Sequence, residues 1–230
     1  MRRRPFFVPA LTVPALTLVF TLLTIVPAAA DSPDLVFGEI PFGKTLDEVL
    51  GMYAGSEVDR KETPYIESIG NYVVEKYFEG GLKRDNSGIC LLPDIVQKYS
   101  VKNTDWKNCD SLTLYFGAFE KKAAKYTLFM VKKTLPQPLP EADFKEVFQK
   151  LSGTMDLSTG AGHTVEQGRI QSFEEDSHTF YLPALVGTWE AKDTLVFVMA
   201  ANSPGGPLPP EEIFVSRPAL KRYLETCKTY

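Results

Sequence analysis

The 230-residue chain predicts an α+β fold: two repeated units, each a short amphipathic helix followed by an antiparallel meander, with the sheet packed against both helices. Three observations carry that expectation. The stretch 45–55 has an echo 98 residues on, at 143–153. Each copy opens on a cap-forming residue, Thr45 or Asp143, with Glu48 or Glu146 three positions later, the capping-box spacing. Each then sets apolar residues at i, i+3, i+4 and i+7 (Leu46, Val49, Leu50, Tyr53; Phe144, Val147, Phe148, Leu151) and ends on a glycine able to take a left-handed cap. Second, runs rich in β-branched and aromatic residues follow each helix, as half-buried strands require. Third, the alternating prolines of 135–140 favour an extended connector between two units.

In chain order, Arg2, Arg3 and Arg4 precede an apolar run from Phe6 to Val26 and the small-residue exit Ala28-Ala29-Ala30. That is the pattern of a secretory signal peptide cut after Ala30. An uncleaved anchor is the rival, since the run is about long enough to span a bilayer. Cleavage removes three of the 25 basic residues and none of the 29 acidic ones, so 22 face 29 and the mature net charge is −7. A chain of that balance repels phosphates, which argues against nucleic acid as a partner.

Residues 35–43 read as a strand and turn feeding the first helix, punctuated by Gly38, Pro41 and Gly43. Strand character returns at 72–78; 83–88 is turn chemistry, 89–92 suits a strand, and 93–99 fits a short helix or a turn equally. Residues 112–119 and 126–131 predict a hairpin about Glu120-Lys121-Lys122. After the second helix, 164–173 predicts a strand with a bulge at Gly168, then a turn at 174–177. Residues 178–182 and 186–190 form one strand broken at Pro183 or two; 194–199 is a strand, 202–210 a loop and 213–215 an edge strand. Pro218 suits the first position of a closing helix. The domain reading is therefore 1–30 signal peptide, 31–135 first unit, and 136–230 second unit with its C-terminal tail.

A second echo aligns Phe119-Glu120-Lys121-Lys122 with Trp189-Glu190-Ala191-Lys192, each followed by Thr-Leu. The separations, 64 positions from Gly55 to Phe119 and 36 from Gly153 to Trp189, give the first unit about 28 extra residues, an insertion near 80–110. Helix then meander, twice, resembles in outline the tandem α/β repeats of the β-lactamase inhibitor protein superfamily. Each unit also resembles the small outer-membrane assembly lipoproteins of that superfamily. The likeness lies in the order of elements over 35–201, and no functional motif is carried across. The lipoproteins' anchoring cysteine has no counterpart here.

Cys90, Cys109 and Cys227 fall in the exported part, where thiols tend to oxidise. Cys90 with Cys109 is the expected disulfide, both lying in the insertion, and a loop of that size would contribute about 3 kcal/mol. Cys109 with Cys227 is the alternative. The histidines are His163, in a Gly-rich turn, and His178. With Glu174, Glu175 and Asp176 they could cluster, but metal-binding spacing is absent, and ordinary surface histidines are expected. Nucleophile elbow, phosphate loop and Rossmann fingerprint are all missing. The sequence therefore predicts no catalytic, metal or cofactor-binding residue and no cofactor. It points to an exported, non-catalytic binding or envelope-accessory protein whose partner is a protein or envelope component, with no stable membrane insertion after cleavage. The expected contact surface is a sheet face bearing Tyr115, Tyr181 and Trp189. The rival classes are a secreted hydrolase with a dispersed site around His178 and a membrane-tethered accessory protein, true only without cleavage at Ala30.

Overall fold

The computed structural model describes residues 37–61, 96–118, 125–173 and 179–227. The expected signal peptide, Cys90, His178 and most of the expected insertion lie outside them. In chain order come α1 (Leu46–Leu50), running into one 3-10 turn (Gly51–Tyr53), then β1 (Glu57–Lys61), β2 (Val96–Lys102), β3 (Ser111–Gly117) and β4 (Thr127–Thr134). There follow α2 (Phe144–Thr159), β5 (Thr164–Phe173), β6 (Thr179–Ala191), β7 (Thr194–Ser203), β8 (Gly206–Pro207), β9 (Glu211–Ser216) and α3 (Arg217–Cys227). The strands make one sheet in the order β1-β2-β3-β4-β9-β7-β6-β5, and β8 pairs with β7. Every pairing in it is antiparallel.

This corrects the expected α+β class of repeated helix units. One antiparallel sheet dominates the described residues, nearer to an all-β protein, and the two helices are unequal. α1 has five residues and tightens at Gly51, where Tyr53 is buried edge-on to Trp106 with ring centroids 6.1 Å apart. α2 has sixteen residues and runs through Gly153, the predicted stop, to a left-handed cap at Gly160 with φ 64°. The apolar stripe explains the extension: Phe148 and Met155 are both buried, so the face that meets the sheet continues for a second register beyond Leu151. Gly153 is exposed and costs the helix only about 1 kcal/mol against alanine.

Cross-strand register puts Tyr99, Leu114, Val131, Phe214, Val196 and Trp189 in one buried row across six strands. α1 and α2 both pack over this face, α1 on the cluster of Leu112, Leu114, Phe116 and Leu128, α2 on that of Trp189, Val196, Val198 and Phe214. The opposite face is buried too: Tyr115, Met130, Val215 and Leu195 form a second row. Burial on both sides is why β3 and β7 read as nearly continuous apolar runs rather than alternating ones. At the junction of the halves, β4 and β9 are tied by Lys132–Glu211 at 2.8 Å and Lys133–Glu212 at 3.5 Å.

Local details differ from the sequence reading in several places. β9, expected as an edge strand over 213–215, lies between β4 and β7 in the middle of the sheet, and the expected loop at 202–210 holds the end of β7 and the short β8. β5 and β6 keep an unbroken register from Thr164↔Thr188 to Phe173↔Thr179, so Gly168 forms no bulge and Pro183 does not break the strand. The register shift falls instead in the β3–β4 pair, between Tyr115 and Phe116. The proline connector packs where a side chain would not fit: Gly206 has φ +115°, and a Cβ there would lie 2.7 Å from the Pro140 carbonyl oxygen.

Candidate functional site: the cleft between α2 and β5

β5 ends the sheet order, and α2 packs over β7 and β6 without covering it fully. The result is a cleft of about 430 Å³. Its floor is Val165 and Gln167 of β5 with Leu185 of β6, which stands directly opposite Gln167. Its wall is one side of α2: Lys145, Phe148, Gln149, Ser152 and Asp156, spaced at helical intervals. Val165 is 49 % exposed, a large apolar side chain left in contact with water at this spot.

One end of the cleft is built by a three-residue constellation. The cap at Gly160 reverses the chain, its N–H donating to the Asp156 carbonyl at 2.9 Å, and this brings His163 back against the last turn of α2. His163 Nδ1 lies 2.7 Å from Asp156 Oδ1. Trp189 Nε1 donates to the same oxygen at 2.7 Å. The imidazole lies over the Trp189 ring, centroids 4.7 Å apart at 31°. The two N–H donors, Trp189 first and His163 second, hold the Asp156 carboxyl below its ordinary range, so it is ionised. An ionised carboxylate only accepts, and Nδ1 therefore carries the hydrogen, leaving Nε2 as the acceptor of the neutral ring. Among the described residues neither Asp156 Oδ2 nor His163 Nε2 has a hydrogen-bond partner.

Trp189 is fully buried and its ring occupies the space over Gly187, where a Cβ would lie 2.7 Å from the indole. Two hydroxyls, Ser152 Oγ of α2 and Thr188 Oγ1 of β6, are buried with no partner among the described residues. A second cleft of about 420 Å³ lies where α2 meets the connector, lined by Leu135, Pro136, Pro138, Val147 and Leu151 on its apolar side and by Lys133, Lys150 and Glu212 on its charged side.

The residues singled out from the sequence fare differently. The expected aromatic contact face is corrected at two of its three positions. Tyr115 is buried with its ring 6.5 Å from that of Phe129, and Trp189 is core, because the sheet is covered on both faces. Tyr181 lies in β6, with its side chain outside the described residues, as is His178. Cys109 is a buried thiol that donates to the Ser111 carbonyl at 3.3 Å, and burial pushes its pKa up to about 11. Cys90 and the side chain of Cys227 fall outside the described residues, so the expected pairing does too. Among the described residues no group of three or more His, Cys, Asp or Glu could hold a metal ion, and no helix is long and apolar enough to cross a membrane. Asp156 escaped the sequence reading, and His163 was read there as a surface histidine. The signal that could have joined them is Gly160-Ala161-Gly162, a cap-and-turn that folds position 163 onto position 156.

No protein-family model matches the chain, and neither a curated protein nor a solved structure does.

Proposed function

We propose that this is an exported, non-catalytic binding protein of the cell envelope that takes its ligand in the cleft between α2 and β5. The observation that carries the reading is the cleft itself: a mainly apolar floor closed at one end by a fixed, charged constellation, the usual composition of a ligand site. Export is the expectation drawn from the basic start, apolar run and Ala28-Ala29-Ala30 exit. The resemblance to the β-lactamase inhibitor superfamily rests on the order of elements and does not select a ligand.

The test is crosslinking capture from the native envelope with three forms of the full chain. Wild type and Met52→Arg, a change on the exposed side of the 3-10 turn after α1, are expected to retain the same partner, and Val165→Arg to lose it. Equal capture by all three would overturn the reading.

A second reading, a secreted hydrolase, draws on the Asp156–His163 pair, an orientation a general base could use. It places His163, rather than His178, in the base role. Ser152, the hydroxyl residue lining the cleft, has a buried oxygen that bonds neither, which weighs against it. Turnover of an activated ester that disappears in His163→Ala would establish this reading in place of the first.

A further inference from the structure

Resting on the reading of this cleft as a binding site, the geometry points to its ligand class: we infer that it holds a short extended peptide, free ammonium end at Asp156 and carboxylate end toward Lys145. The polar end offers acceptors. Asp156 Oδ1 is saturated by two donors, but Oδ2 is unengaged among the described residues, and the side chain is 39 % exposed. His163 adds Nε2, which accepts when the ring is neutral. A carboxylate and an imidazole acceptor side by side suit a group that only donates, and an ammonium is such a group. Both are held in place, Asp156 by Trp189 and His163 by its stack on the indole, so little freedom is lost when a ligand arrives.

The opposite charge stands at the other end. Lys145 lines the same cleft eleven residues earlier on α2, which at the helical rise is about 16 Å away. An extended chain covers about 3.3–3.6 Å per residue, so about five residues bring an amino end and a carboxyl end to the two charges together. Between them Phe148, Val165 and Leu185 offer apolar contacts for alternate side chains, with Gln149 and Gln167 beside them for the backbone. No described strand pairs with the outer edge of β5, which lies beside this path. Charge sign, spacing and the apolar middle thus select one ligand pattern: a zwitterion about five residues long with apolar side chains at every second position.

The probe is the pentapeptide Leu-Ala-Leu-Ala-Leu, titrated calorimetrically into the full-length mature protein in free, N-acetylated and C-amidated forms. The free peptide is expected to bind, acetylation to weaken it about tenfold or more, and amidation to weaken it by a smaller factor. Val165→Arg is expected to abolish binding. Asp156→Asn should narrow the gap between free and acetylated forms; the comparison of peptide forms on wild type needs no variant to fold. Equal binding of free and acetylated peptide would overturn the assignment, as would no binding of any form. If no form binds while Val165→Arg still loses the envelope partner, the peptide assignment fails and the cleft remains a binding site. If that variant keeps the partner, the underlying reading fails with it.

Discussion

Over the half of the sheet built by β2, β3 and β4, α1 presses Val49 and Tyr53 onto Leu112, Leu114 and Phe116, with Trp106 closing the side. Over the half built by β6, β7 and β9, α2 presses Phe148 and Met155 onto Trp189, Val196 and Phe214. Both helices begin with the same sequence device, yet among the described residues the Asp156–His163–Trp189 constellation beside an open cleft belongs to the second half. The difference lies in reach. α1 stops after five residues and a tight turn, with aromatic rings of the following segments filling the remaining space. α2 continues to Thr159, and its last turn places Asp156 where an indole from the sheet and an imidazole from the returning chain can both reach it.

Capping also differs. In α1 the Glu48 carboxylate takes both the Thr45 backbone N–H at 2.8 Å and the Thr45 hydroxyl at 2.7 Å. In α2 Asp143 accepts the Lys145 N–H at 2.9 Å, and the cap is made by the acidic residue itself. A shared spacing of residue types has thus produced two geometries, because a threonine hydroxyl can donate to a glutamate and an aspartate cannot.

The comparison is broken most forcefully in the core. Trp189→Ala and Phe116→Ala each remove a fully buried ring and are expected to cost about 3–5 kcal/mol in denaturant unfolding. Trp189→Ala alone should also release His163, read as a change in its imidazole resonances, whereas Phe116→Ala should leave them in place. A smaller effect follows from Gly187→Ala. The new Cβ would sit 2.7 Å from the Trp189 ring and 3.2 Å from Phe148, and the overpacking is expected to cost about 1–3 kcal/mol. An unfolding midpoint equal to that of wild type would show that the indole moves freely, against a preformed constellation.

The smallest effect is one of pH. Asp156 is held below its ordinary range by the Trp189 and His163 bonds, and Glu48 by the Thr45 bonds. Both carboxyls are more acidic folded than unfolded. Their contribution is present above the unfolded values, about 3.9 for Asp and 4.3 for Glu, and is lost as pH falls through the folded ones. Wild type is therefore expected to lose stability as pH falls below about 5 and on through the folded values, with a shallower slope in Asp156→Asn and, separately, in Glu48→Gln. Identical slopes in all three would remove the charge-assisted bonds from the account.

Much of the sheet could be read from residue patterns, since β-branched and aromatic runs are local signals. The hairpin at 112–119 and 126–131 is found as β3 and β4, and 194–199 lies within β7. Residues 93–99 fitted a helix or a turn equally, and 96–99 open β2, where Lys98 interrupts the apolar pattern. It is nevertheless buried, with its ammonium 5.8 Å from the centre of the Tyr115 ring. β1, charged at four of its five positions (Glu57, Asp59, Arg60, Lys61), gave no strand signal at all. The pairing of β4 with β9 joins segments about 80 residues apart and leaves no mark on either alone. The burial of Tyr115 did leave a trace: β3 is a nearly continuous apolar run, the pattern of a strand covered on both faces, which the expectation of an open aromatic face passed over. Asp156, His163 and Trp189 come from a helix, a turn and a strand, so their meeting was legible only once α2 was known to end at Gly160.

The most direct test of the contrast between the two halves is amide chemical-shift mapping of the mature protein titrated with a fractionated native-envelope extract. Shifts are predicted at Lys145, Ser152, Asp156, His163 and Val165, with Val49, Tyr53 and Leu114 unchanged. Shifts gathered around α1 instead, or none along α2 and β5, would contradict the assignment of binding to this cleft.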